Sequence, residues 1–319
     1  MRLLFAIVVL LLLGTFAPLR LQRPEPVPAA TFLTFEAVPL DEDDRERRRL
    51  GPLVYLGGWN IESNDPRFGG ISAAHVEDRE VIAFSDAGWM IRFSLPVDAR
   101  PVRADLRQLP QGPGSATAKT DRDIESVAVH GARAWIGYER ANAVWRYRRA
   151  DWNAEASAAP REMRRWRANR GSEAIARLPD GRFLVFSEGS GGDSEAVLFE
   201  GDPTEKGTEA VKLKYRPPNG YRVTDAAALP DGRLIFLNRR VRLLEGFSSK
   251  LSLATPGPLK AGSVIQGREI AVFTGAVIAD NFEALSLSHD GRRTILWIAS
   301  DDNYNQLQRT LLLKFALAD

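Results

Sequence analysis

Four carboxylates recur along the chain, each leading a small and aliphatic run: Glu125 in DIESVAV, Glu173 in GSEAIAR, Asp225 in TDAAALP and Glu283 in NFEALSL. FGGISAA, at Gly69, is a fifth copy without the acid. Carboxylates that a repeat gathers in one place could hold a divalent cation through their oxygens, or be locked to arginines of the protein itself. The copies lie 48 to 58 residues apart, and a period near 50 marks a repeat architecture.

A turn and a second strand follow each copy. LPDGRFLVFSE, LPDGRLIFLNR and SHDGRRTILWIASDD place Asp-Gly between apolar runs, a strong hairpin signal, and AAHVEDREVIAFSDAG and VAVHGARAWIGYERA read the same way. A polar group stands near the end of each second strand: Asp86, Glu139, Glu188, Asn238 and Asp301. In an antiparallel hairpin the start of the first strand and the end of the second share an edge. Glu125 with Glu139, Glu173 with Glu188, and Glu283 with Asp301 are therefore expected to be neighbours. In a propeller the first strand lines the channel, so these acids, with Asp86 and Asp225, would ring one mouth of it.

The fold class expected is all-β, a β-propeller of five blades, or six if residues 31–68 contribute more than closing strands. FLTFEAVPL and LVYLGGWNIES precede the first complete repeat and RTLLLKFAL ends the last, so N- and C-terminal strands are expected to pair and close the ring. Outer strands are read at MIRFSLP, AVWRYRR, AVLFEG, AVKLKYR, KLSLAT and EIAVFTG; only AEASAAPREMRRWRA, 154–168, has helical composition.

Arg122, Arg170 and Arg222 each stand three residues before a repeat acid. Their forked guanidinium groups could bind an anionic substrate at the mouth, or staple the ring by pairing with acids of their own or adjacent blades. The acids themselves suggest Ca2+, with Glu125, Glu173, Glu283, Asp301 and Asp302 as candidate ligands; the alternative is ion pairs and caps for strand-end amides. SDDNYN, from Ser300, is the densest oxygen cluster, and a turn held by Asx hydrogen bonds would also explain it. No calcium loop of the DxDxDG type, G-x-S-x-G elbow, Walker loop or dinucleotide-binding glycine loop is present. His75, His130 and His289 fall near the edge opposite the acids, which sets them apart from this chemistry.

The chain of 319 residues opens MRLLFAIVVLLLLGTFAPLRLQ. Its apolar run, Leu3 to Leu13, is short for a bilayer span and fits a secretory signal, so residues 1–22 are read as a signal peptide or an uncleaved N-terminal anchor. Residues 23–30 are a Pro-rich tether and 31–319 the propeller. The protein is expected to be exported, periplasmic or secreted, or held at the inner membrane if the segment stays. Zero cysteines exclude disulfides, Cys-zinc sites and thiol nucleophiles. A net charge of only +2 without a clustered basic face argues against nucleic acid. The partners expected are a small anionic ester, a membrane only through the N-terminal segment, and no second subunit.

FGGISAA with FSDAG, DIESVAV, SEAIARLPDGR, DNFEALSLS and above all SDDNYNQLQRTLLLKFAL resemble the bacterial phytase-like domain called "esterase-like activity of phytase", a group of exported β-propeller proteins. The resemblance covers roughly residues 50 to 318. It implies hydrolysis of an ester or phosphate ester, and it carries over no set of catalytic residues. The resulting expectation is a propeller hydrolase of a phosphate ester or related anionic ester, with Ca2+-assisted attack of water. The rival is a non-catalytic binding or scaffold propeller, and a lactonase-like hydrolase is a third reading. Carboxylates converging with free oxygens would favour the enzyme, and acids each locked to an arginine would favour the scaffold.

Overall fold

A computed structural model describes residues 26–318 apart from positions 117 and 190. The expected signal or anchor at 1–22 lies outside the described residues, and among these no helix is long and apolar enough to cross a membrane. The chain builds five antiparallel blades. Blade 1 is Ile71–Glu77, Glu80–Ser85, Trp89–Ser94 and Val102–Gln108; blade 2 is Ile124–His130, Arg133–Tyr138, Ala143–Arg148 and Ala154–Ala158. Blade 3 is Ala174–Arg177, Phe183–Phe186, Ser194–Phe199 and Ala210–Arg216, with Val264–Gln266 added in parallel. Blade 4 is Arg222–Ala228, Leu234–Arg242, Gly246–Ala254 and Arg268–Phe273, and blade 5 is Phe282–Asp290, Arg293–Ser300 and Leu311–Leu317.

Blade 5 takes its fourth strand from the N-terminal part of the chain: Leu53–Ser63 pairs with Leu311–Leu317, Leu313 opposite Gly58. Thr31–Ala37 then bridges this strand to Val102–Gln108, so blades 5 and 1 form one continuous sheet. Residues 31–63 are used up in closure, which leaves five blades and no sixth among the described residues. The strand pairs that would otherwise be open edges are thereby satisfied.

Each turn of the repeat has a local cause. Gly181 and Gly232 adopt φ of +95° and +86°, the left-handed conformation a tight hairpin requires, while Asp180 and Asp231 accept the amides of Arg182 and Arg233. The segment 154–168 differs from its helical composition. Ala154–Ala158 is the outer strand of blade 2, and the turns that follow Pro160 are pinned by buried Met163 and Trp166. Alternate side chains of that strand are exposed, so pairing with Ala143–Arg148 decides its conformation against alanine's helical preference.

The core is divided into five wedges, one between each pair of successive blades. Phe282, Leu285 and Phe315 of blade 5 meet Leu237, Leu251 and Phe273 of blade 4, for example, and Trp135 and Val144 of blade 2 meet Phe183 and Val185 of blade 3. Hydroxyls tie the inner strands across these wedges: Ser72 donates to the carbonyl of Ile124, Ser126 to that of Ser172 at 2.8 Å and Thr224 to that of Phe282 at 3.3 Å.

Phe315 is fully buried in the closing blade, its ring 5.3 Å from Tyr55 and 5.8 Å from Phe273. Phe315→Ala is expected to destabilise the fold by about 3–5 kcal/mol in urea unfolding, against less than about 0.5 kcal/mol for Val97→Ala at the surface. A loss at Phe315 no larger than that at Val97 would contradict the closure described.

Candidate functional site

The mouth is shaped by a bulge at the start of the inner strands. In blade 2, Ile124 faces Tyr138 and Ser126 faces Gly137, which leaves Glu125 out of the ladder. The same shift releases Ser72 in blade 1, Thr224 in blade 4 and Glu283 in blade 5. Glu173 stands just ahead of the blade 3 strand, its amide donating to Phe186. Ser72, Glu125, Glu173, Thr224 and Glu283 are thus the equivalent positions of the five blades.

A second tier comes from the residues that follow the second strands. The amides of Asp86, Glu139, Glu188 and Asp301 donate to the carbonyls of Gly70, Asp123, Arg170 and Asn281, and Arg239 lies opposite Arg222. Arg239 therefore occupies in blade 4 the place that an acid holds in the other four. It contacts Glu283 and Asn281, and its other nitrogen lies 3.7 Å from Glu188.

Asp225 lies outside this ring. It is one residue past the bulge and faces blade 5, one oxygen accepting the amide of Leu285 there and the other that of the adjacent Ala226 in its own strand, both at 2.7 Å. Asn238, the polar group expected at the mouth in blade 4, points into the wedge and accepts from Tyr215 at 2.9 Å. Sequence spacing alone aligned these two positions one residue off, because the bulge changes which side chain faces the channel. Asp302 is occupied by a turn: its oxygens accept from the amides of Gly70 and Tyr304 and from Thr310.

The arginines divide. Arg122 is buried away from the mouth, donating to the carbonyl of Leu109 beside the Tyr138 and Tyr147 hydroxyls, which bond each other at 2.7 Å. Arg170 and Arg222 approach Glu188 at 3.8 and 3.1 Å. With Arg239 they surround that one carboxylate. On the blade 2 side the acids face one another instead: ligand oxygens of Asp123, Glu125 and Glu139 all lie within 4.8 Å. Arg140 pairs with Asp123 at 2.9 Å, and Lys119, on the single 3-10 turn of the described residues, pairs with Asp86. Asp123, Lys119 and Arg239 were not singled out in the sequence. Asp123 could have been, since it begins the DIESVAV motif two residues before Glu125.

Burial and like charge govern the protonation of this ring. Burial, then the charges of Glu173, Glu283, Asp123 and Glu139, hold the Glu125 carboxyl well above the usual range. Glu173 is raised by burial and by Glu139 and Glu188, and Asp301 by burial, Glu283 and Asp86. Burial pushes Glu139 up to about 8 and Asp86 to about 6, the latter against the opposing pull of Lys119. An all-oxygen set of this kind, with more acids than bases around it, suits a hard divalent cation.

A family model described as "Phytase-like: Esterase-like activity of phytase" matches residues 66–304. Comparison with curated protein sequences gave no match. Among solved structures, glutaminyl cyclase of Myxococcus xanthus is similar with 10% identity and a TM-score of 0.49, covering 84% of this chain and 97% of that one. The major allergen Mala s 1 of Malassezia sympodialis gives 10% identity and a TM-score of 0.45, over 82% and 87% of the two chains.

The raised carboxyls bind protons in the folded state that the unfolded chain releases. Their contribution to stability is therefore full below about pH 4.5 and is lost progressively as pH rises toward about 8, where Glu139 titrates. Glu173→Gln removes one of the repelling charges. In chelator-treated protein it is expected to raise unfolding free energy by on the order of 1–2 kcal/mol at pH 8 and by less at pH 5. Urea melts at the two pH values decide this, and a variant less stable than its parent at pH 8 would refute the repulsion.

Proposed function

The chain belongs to the phytase-like family, and from that membership and the acid ring we propose that it is an exported propeller hydrolase of a phosphate ester or related anionic ester. The observation that carries this reading is the convergence of Asp123, Glu125 and Glu139 within 4.8 Å, where Arg140 pairs with Asp123. These three carboxylates would hold a divalent cation such as Ca2+, which when bound supplies Lewis-acid polarisation of the substrate and a more acidic water. The ligand set proposed thus keeps Glu125 from the sequence reading, adds Asp123 and Glu139, and leaves Glu173, Glu283, Asp301 and Asp302 in other roles.

Those roles follow from contacts. Glu173 hydrogen-bonds Glu139 across the wedge between blades 2 and 3, so one proton can be shared by two carboxyls at the rim of the proposed reaction centre. A carboxyl pair with raised affinity for protons is suited to take one from water and return it to a leaving alkoxide. Lys119 and Arg222, with side chains 57% and 41% accessible, are exposed cations of the mouth and would receive the anionic oxygens of the substrate. Glu283 is held by Arg239 and serves to fix blade 4 to blade 5.

A non-catalytic binding propeller is the second reading, favoured by the three arginines around Glu188, which neutralise the half of the ring between blades 3 and 5. The two readings part on simple measurements. The hydrolase reading expects bound divalent metal by elemental analysis, turnover of p-nitrophenyl phosphate or p-nitrophenyl esters that chelator abolishes, and roughly 10–100-fold loss on Asp123→Asn or Glu125→Gln with the urea midpoint retained or raised. Lys119→Ala is expected to raise KM more than it lowers kcat. Absence of metal and of turnover across that panel would leave the binding reading.

A further inference from the structure

We propose that the face on which the acid mouth opens docks on an anionic lipid surface, through a basic loop and an apolar hairpin tip that the hydrolytic reading leaves unused. The basic loop joins Ala154–Ala158 to Ala174–Arg177, leaving and entering the blades at their mouth ends. It holds Arg161, Arg164, Arg165, Arg167 and Arg170 against Glu162 and, at its end in the ring, Glu173. Met163 and Trp166 are buried in the wedge between blades 2 and 3, and the Trp166 carbonyl accepts from Asn142 in a mouth-side turn at 3.0 Å. Arg161 is spent on Glu162 and Arg170 on Glu188 and Gly189. Arg164, Arg165 and Arg167 are exposed and make no ion pair among the described residues.

The hairpin belongs to blade 4. Its strands Leu234–Arg242 and Gly246–Ala254 stay paired to Arg242 opposite Gly246, three residues beyond Arg239 at the mouth. That is roughly 10 Å of strand standing clear of the ring. Leu243 is 59% and Leu244 88% exposed at the tip, with Arg240 and Arg242 sharing the one carboxylate of Glu245. Leu307 is exposed in the next blade, in the loop that joins Arg293–Ser300 to Leu311–Leu317 on the same face.

The combination points to lipid. A soluble polyanion would use the arginines and leave two leucines in water, whereas the headgroup region of an anionic bilayer accepts both apolar tips and guanidinium groups. The acids do not oppose this, because they are recessed at the channel and Asp86, Asp123, Glu188 and Glu283 are paired with basic side chains.

The chain has no cysteine, so one engineered cysteine labels one place. In the full chain, an environment-sensitive dye at Leu244→Cys is expected to shift to the blue with phosphatidylglycerol vesicles and far less with phosphatidylcholine. The same dye at Val97→Cys, which follows the far end of Trp89–Ser94, is expected to stay in water even if the N-terminal segment inserts. Arg164→Glu, Arg165→Glu and Arg167→Glu together should require at least about tenfold more vesicle for the same shift, and raising salt toward about 0.5 M should do likewise. If the triple variant melts below its parent, the salt dependence alone is read. No shift at position 244, an equal shift at 97, or equal response to phosphatidylcholine overturns the proposal. So does inorganic polyphosphate bound with the same arginine dependence while the dye at 244 remains in water.

Discussion

One extra residue at the start of an inner strand governs the rest of the mouth. In a regular strand, side chains alternate between the two flanking wedges, and none need face the axis. The bulge takes one residue out of the ladder and aims it at the channel, as Glu125 and Glu283 show. The residue after it then resumes the alternation and is committed to packing. Blade 4 makes the consequence visible: with Thr224 at the bulge, the acid that follows becomes a buried clamp on the amide of Leu285. A shift of one position converts a channel carboxylate into an inter-blade fastening.

Gathering carboxylates in this way opposes folding, and the protein offsets the repulsion differently in its two halves. Between blades 3 and 5, guanidinium groups of Arg170, Arg222 and Arg239 stand among Glu188 and Glu283. Around blade 2, Arg140 reaches only Asp123, and Glu125, Glu139 and Glu173 are left to hold protons or a cation. Had every blade carried an arginine at the second-strand position, as blade 4 does with Arg239, the ring would be a structural belt. The asymmetry is what leaves room for chemistry.

Much of this was legible in the sequence because the signals are local. The Asp-Gly turns, the period near 50 and the apolar ends of the chain translate directly into five hairpins and a closure by Leu53–Ser63. The pairing of Glu125 with Glu139 follows from antiparallel geometry alone. What the spacing could not carry was register. Asp225 and Asn238 look equivalent to their counterparts until the bulge at Thr224 is known, and Arg239 is invisible behind Asn238 for the same reason. The role of Arg122 was misplaced because its distance along the chain from Glu125 says nothing of the turn at Lys119–Asp121, which directs it into the wedge against Tyr138. The helical composition of 154–168 gave way to tertiary pairing in the same manner.

Burial also sorts the two signs of charge on this face. The carboxylates lie on strand ends, where backbone pairing fixes them close together in a desolvated channel. The unpaired arginines lie exposed on a loop anchored by Met163 and Trp166, so their charges stand in water and are screened beyond about 8 Å at physiological salt. Long-range attraction of an anion therefore belongs to the rim, while short-range selection of a cation belongs to the well. The same face can then draw an anionic substrate or surface toward a site that is itself acidic, provided a cation in the well reverses the sign at the last few ångströms. This ordering ties the hydrolytic reading to metal: without a cation, the ring would repel the substrate that the rim attracts.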